Sequence, residues 1–300
     1  MKKGLKTIRD SQDRLQSRLL VWVVGTVLTA FCLPLLLFSG VSHNEGPFVR
    51  MAFGVSFTFA LLVWALKAGT RGAAFCGGII CLLVIAGTGA ARKFPGSSGL
   101  TPMVTLFVLT FSATRLGKQE KELRGLAEDS TGRHASQVVA NLGAAGLVVI
   151  AAYLRMFDIF SASGDPHGLS AYAGPAMVLA VFAEATADTV ASEIGQAFGG
   201  RPILLTSLRT VEPGTDGAVS MLGTVAGILA AAIVVLSGVW SMHLGLRQSL
   251  AATTGGVAGL FFDSLLGATV ERRGWLGNDL VNFSSTLFAA SVALAILALR

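Results

Sequence analysis

What most constrains this chain is how its charges are spaced. They fall in short clusters, and the stretches between them are apolar and close to the length needed to cross the roughly 30 Å hydrocarbon core of a bilayer. Inside a bilayer every backbone N–H and C=O must be bonded within the protein, so such blocks read as helices. Nine are readable, at about 19–39, 49–66, 72–91, 101–116, 137–156, 170–187, 218–240, 249–268 and 283–299; acidic residues close the sixth. The predicted fold is an all-α, polytopic helical transmembrane bundle of about nine spans. Only 13% of the residues are charged and 53% are apolar, whereas an average soluble chain is about 25% charged. A soluble globular enzyme and a disordered binding protein are both excluded.

Orientation follows from the basic residues, which favour the cytoplasmic side in short loops. Placing the N-terminus in the cytoplasm puts seventeen Lys and Arg on that side and six on the other. The basic segment 1–18 is then cytoplasmic and leads into the first span, which has no small-residue cleavage pattern and reads as a retained anchor. Residues 19–300 form one integral membrane domain. The net charge of +6 belongs to these loops: no basic stripe with interleaved aromatics is present, so nucleic acid is not an expected partner. Cys32, Cys76 and Cys81 lie in apolar blocks without CxxC spacing and read as small buried hydrophobes. The four histidines are scattered one to a segment and offer no metal centre.

Ionisable residues at membrane depth are costly, so where they cluster is informative. In 182–220, Glu184, Asp188 and Ser192 repeat at i, i+4, i+8, which puts two carboxylates and a hydroxyl on one helical stripe. The acids repel unless a cation or a water network offsets them; Mg²⁺ suits, because it takes one or two carboxylates and completes its shell with water and phosphate oxygens. The alternative is a helix end in the headgroup zone with solvated acids. Downstream, EPGTDGAVS (212–220) sets Gly214, Thr215, Gly217 and Ser220 in a glycine loop directly before an apolar helix. Convergent N–H groups and a helix N-terminus there can hold phosphate, with Arg209 as a guanidinium nearby. A capped helix after a Pro/Gly turn has the same sequence.

A second cluster occupies 259–285. Asp263 is deep in an apolar run, and Asn278, Asp279 and Asn282 open the next block. They read either as a polar pocket shared with Asp263 or as an N-cap of the last helix. The small-residue pairs Gly195/Gly199, Gly223/Gly227 and Gly255/Gly259 read as close helix packing. The polar stretch 117–136 reads as a solvated cytoplasmic loop or as a substrate element. No P-loop, protein-kinase set, GxSxG elbow or HExxH is present.

At ADTVASEIG (187–195), PGTDGAVS (213–220), FFDSLLGAT (261–269) and GNDLVNFSS (277–285) the chain resembles the transmembrane protein 19-like family of integral membrane proteins. GRHASQVVANLGAA (132–145), which contains Asn141, adds a weaker match. The plant members of that family include phytyl-phosphate kinase. The resemblance therefore implies phosphoryl transfer from a nucleoside triphosphate to an isoprenyl monophosphate, giving the diphosphate. A fainter similarity to CTP-dependent polyprenol kinases and CDP-diacylglycerol synthases rests on Asp188, Ala191, Ser192, Gly195, Phe198, Gly199, Arg209, Glu212, Gly214 and Thr215. It favours CTP, although Pro213 is inserted between Glu212 and Gly214 and the usual Lys-rich stretch is replaced by Arg209 and Thr210.

The expectation is a membrane-embedded lipid phosphotransferase with its catalytic region at about 182–285. Asp188, Asp263 and Arg209 are its catalytic residues, and Mg²⁺ is held by Asp188, Asp263 and Glu184. Ser192, Gly195, Gly214, Thr215, Gly217, Ser220, Asn278, Asp279, Asn282 and Asn141 line the substrate and nucleotide site. Two other readings stay open: an ion-coupled or lipid transporter, and a nucleotidyltransferase forming a CDP-linked lipid. The expected partners are a membrane lipid substrate and a nucleotide, with a homodimer left open. The expected location is the endoplasmic reticulum or another intracellular membrane.

Overall fold

The computed structural model describes residues 2–39, 46–89, 94–123, 132–154 and 168–299. Arg92, Lys93, Arg124, Arg155 and Arg300, used above to orient the chain, lie outside the described residues. A helix stands at each of the nine expected positions: α1 (Lys2–Ser39), α2 (Gly46–Ala65), α3 (Arg71–Thr88), α4 (Leu100–Arg115), α6 (Ala135–Tyr153), α7 (Gly168–Phe198), α8 (Met221–Met242), α9 (Leu246–Leu266) and α10 (Asn278–Ala298). Seven of them are long and apolar enough to cross a membrane. Of the other two, α4 has 16 residues and α7 carries the acids. Among the described residues, length and hydropathy thus single out seven of the nine helices as spans. A short helix, α5 (Lys118–Leu123), and a two-stranded antiparallel ribbon, β1 (Ile203–Leu204) with β2 (Ala218–Val219), complete the described elements.

The sixth span differs from expectation in an instructive way. Instead of closing at about 187, α7 runs for 31 residues from Gly168 to Phe198. It is the central helix, packed against α4, α6, α8, α9 and α10. Residues 176–183 are buried throughout. Acids further along α7 therefore project into protein and not into acyl chains, which makes carboxylates tolerable at this depth.

Close packing around α7 depends on small residues. A Cβ on Gly223 would stand 2.4 Å from the Ala191 carbonyl oxygen, and one on Gly227 would stand 2.5 Å from that of Ala187. The packing reading of the glycine pairs is therefore borne out along the α7–α8 crossing. At the α9–α10 crossing, Gly255 similarly meets the Ala289 carbonyl.

One end of the bundle collects most of the basic segments. Arg133 bridges to the α2–α3 loop, where Thr70 N–H donates to its carbonyl at 2.9 Å and its own N–H donates to Ala68 O at 3.0 Å. Gly117 packs on Ala197 and Phe198. The first half of α1 reaches the same layer: Gln16 accepts from Gly277 N–H at 2.7 Å, and Ser17 Oγ donates to Asp279 Oδ2 at 2.6 Å. Part of the charged 117–136 stretch is not solvated. Lys121 is only 3% exposed and forms an ion pair with Glu193 of α7.

Candidate functional site

At that end the helices enclose a cavity of about 400 Å³. Asp188 of α7 and Asp263 of α9, 75 residues apart in the chain, both line it. Three helices begin at its wall: Gln137 in the first turn of α6, Ser220 at the N-cap of α8 and Asn278 at the start of α10 all face it. Each helix start carries unsatisfied N–H groups and about half a positive charge, so three together favour an anion. The acids Asp188, Glu193, Asp216, Asp263 and Glu271 also line the wall. The cavity therefore presents helix N-termini and carboxylates to the same space.

The loop expected to cradle phosphate forms one side. Gly214 (φ +84°) and Gly217 (φ +71°) lie in the left-handed region, where glycine carries no penalty. Gly217 is needed on a second ground, because a Cβ there would sit 2.0 Å from Ala268 N and 2.5 Å from Ser264 O. The loop is thereby pressed against the junction between α9 and a single π-helical turn, Gly267–Glu271. Such turns concentrate at functional sites; this one points Glu271 into the cavity.

Most of the residues expected from sequence converge here. Ser192, Gly195, Gly214, Thr215, Gly217, Ser220, Asn278, Asn282 and Asn141 line the cavity along with Asp188 and Asp263. Some also do ordinary structural work. Ser220 Oγ accepts from Gly223 N–H at 3.1 Å as the cap of α8. Gly195 is a contact point for α8, since a Cβ would stand 2.7 Å from Ser220 Oγ. Asn282 Nδ2 donates to Asn141 Oδ1 at 3.4 Å, linking α10 to α6. Ser285 Oγ lies 3.2 Å from Asp263 Oδ2 and 2.9 Å from the Asn282 carbonyl.

Three expected residues are placed elsewhere. Arg209 is exposed in the hairpin between β1 and β2, where its carbonyl accepts from Leu204 N–H, and it is not among the residues lining the cavity. Asp279 is turned toward α1 and accepts from Ser17; the N-cap of α10 is Gly277, not Asn278 or Asp279. Glu184 lies beneath the wall, 1% exposed, beside Asp188 and Asp263, and neither of its carboxylate oxygens has a hydrogen-bond partner.

The guanidinium of the site is Arg133, which the topology count had treated as loop charge. It lines the cavity next to Asp188 and donates to Thr189 Oγ1 at 3.3 Å. Gly132 makes this placement possible: its φ is +76°, and a Cβ would stand 2.7 Å from Lys67 O. The signal in the sequence was the GRHASQ start of the weaker family match.

The donor set suits a hard divalent cation. Two carboxylates face one space, and phosphate and water oxygens can complete a Mg²⁺ shell. No group of three or more His, Cys, Asp or Glu among the described residues is arranged to hold a metal by itself. The expected trio of Asp188, Asp263 and Glu184 is therefore not such a group; Asp188 and Asp263 are the two of the three that line the cavity.

Residues 54–290, a range that contains every residue lining the cavity, match the family described as integral membrane protein DUF92. The uncharacterized membrane protein MJ0933 of Methanocaldococcus jannaschii is 34% identical over 203 residues, 68% of this chain and 78% of that protein. The uncharacterized membrane protein sll0875 of Synechocystis is 30% identical over 202 residues, 67% of this chain and 74% of that protein. The chloroplastic protein VTE6 of Arabidopsis thaliana is 29% identical over 237 residues, and this chain covers 78% of itself and 66% of VTE6 in that match. No solved structure matches. A multi-pass bundle of apolar helices and a family match over most of its length make this chain a member of the integral membrane protein DUF92 family.

Proposed function

We propose that this protein is a membrane-embedded isoprenyl-phosphate kinase, transferring the terminal phosphoryl group of a nucleoside triphosphate, CTP by preference, to an isoprenyl monophosphate at the cytoplasmic face. One observation carries the reading: Asp188 and Asp263, from distant helices, line one cavity together with a glycine loop and the starts of α6, α8 and α10. The sequence resemblance to a family that includes phytyl-phosphate kinase and the 29% identity to VTE6 support it.

The chemistry asks little of side chains. The attacking oxygen belongs to the lipid monophosphate, whose second proton leaves near a pKa of about 6, so no general base is required. A bond forms from that oxygen to the γ-phosphorus as the bond to the β–γ bridging oxygen breaks, and the nucleoside diphosphate leaves. Catalysis of this kind is mostly positioning and charge neutralisation. Mg²⁺ held by Asp188 and Asp263 would neutralise the phosphate oxygens. Arg133 offers a planar guanidinium suited to bidentate contact with the transferred group. Backbone N–H groups of the 213–220 loop grip the nucleotide phosphates, and Asn141, Asn278 and Asn282 hydrogen-bond around them.

The test incubates purified protein with Mg²⁺, isoprenyl monophosphates of several lengths and CTP labelled at either the γ or the α phosphate. Label from the γ position in the lipid product is expected. Label from the α position would instead mean nucleotidyl transfer, and lipid or ion flux in liposomes without labelled product would mean transport; either result overturns the proposal.

A further inference from the structure

We infer that the second internal chamber of this bundle, between α2 and α4 with α3 and α6 behind, holds the polyisoprenoid tail of the substrate, with its phosphate delivered to Arg133. The inference rests on the kinase reading for the head group. The chamber itself is read from the structure.

This chamber is about 300 Å³ and is separate from the acid-rich cavity. Its deep part is apolar, lined by Phe59 and Val63 of α2, Met103, Leu106 and Phe107 of α4 and Leu142 of α6. Its other end is basic: Lys67, Arg115, Lys118, Lys121 and Arg133 line it, and no Asp or Glu is among its lining residues. These cations are held by their surroundings. Arg115 lies over the Phe111 ring at 4.1 Å, Lys118 is 3.7 Å from Glu122, and Lys121 pairs with Glu193 behind the wall. A pocket that is greasy at depth and cationic at its mouth fits an amphiphile with one anionic head.

Two further observations narrow the occupant. Arg133 lines both cavities, and its backbone is pinned by the bridge to 68–70, so it stands where a head group would pass from one space to the other. The depth also suits a tail. From Arg115 to Met103 is twelve residues of α4, or ~18 Å at 1.5 Å per residue, against about 15 Å for half the hydrocarbon core. An edge-to-face pair, Phe59 with Phe107 at 5.7 Å between ring centres, joins α2 to α4. A slender unsaturated chain can lie along these rings.

A geranylgeranyl monophosphate carrying a diazirine at the end of its tail tests the assignment. In wild-type protein, with no nucleotide, photolysis is expected to label peptides of α2 and α4. Labelling confined to helices other than α2, α3, α4 and α6, or competition by phosphatidic acid as effective as by geranylgeranyl monophosphate, overturns it. A Cβ on Gly77 would meet nothing nearer than the Phe59 ring at 3.9 Å, so Gly77→Leu projects into the chamber. That variant should bind tritiated geranylgeranyl monophosphate at least tenfold more weakly yet change dimethylallyl monophosphate binding less than twofold; equal loss for both probes, or none, refutes the chamber. In the wild-type protein, labelling of the chamber with no γ transfer refutes the kinase reading alone, and labelling elsewhere with transfer intact refutes the chamber alone.

Discussion

Replacing Gly217 by alanine examines how firmly the glycine loop is seated. At φ +71° an alanine is strained by about 1–2 kcal/mol. Its Cβ would also overlap backbone, 2.0 Å from Ala268 N and 2.6 Å from Ala268 Cα, at a junction with nothing flexible to yield. Overpacking of this sort costs about 1–3 kcal/mol more, for a total near 2–5 kcal/mol. Gly200 supplies the control, because its φ is +68° but a Cβ there meets nothing within 4 Å. Gly200→Ala should therefore cost only the strain, about 1–2 kcal/mol. If the loop stays seated, Gly217→Ala lowers the thermal midpoint in detergent clearly more than Gly200→Ala. If the loop lifts away, the midpoint is spared but the phosphate N–H donors shift by an ångström or more, and γ-phosphoryl transfer falls on the order of a hundredfold. Gly217→Ala matching Gly200→Ala in both midpoint and transfer would refute the seating argument.

Asp188→Asn should abolish lipid phosphorylation, by 10²-fold or more, while shifting the thermal midpoint little; wild-type turnover in that variant would remove the carboxylate from the mechanism. Arg133→Ala is expected to cut kcat/KM at least tenfold and Arg209→Ala to leave it within twofold, since Arg133 lines the cavity and Arg209 does not; the opposite order of effects would restore the hairpin arginine to the site. Chelation should stop transfer, and Mg²⁺ should restore it; transfer that persists in excess chelator contradicts a metal held by Asp188 and Asp263. Asp279→Ala, which loses the Ser17 bond, should lower stability by about 1 kcal/mol with transfer within twofold, measured by the same midpoint and labelling assays.

The sequence by itself determined the solvent and the material of the fold. Apolar blocks punctuated by charge can only be helices in a bilayer, and helices stand at all nine expected positions. The glycine pairs announced the crossings, because a small residue every fourth position leaves a groove for a neighbouring backbone. Asp188 and Asp263 were conspicuous for a similar reason: a carboxylate in an apolar run must be answered by something. What answers each residue was decided by tertiary structure, since partners distant in the chain leave no periodic trace. Only packing placed α7 at the centre, let Gly132 turn Arg133 inward, and sent Arg209 out on a hairpin. It also turned Asp279 to α1 and sank Glu184 behind the wall. A stripe on one helix says which residues travel together, whereas the neighbour that stripe meets is fixed by the three-dimensional closure of the whole bundle.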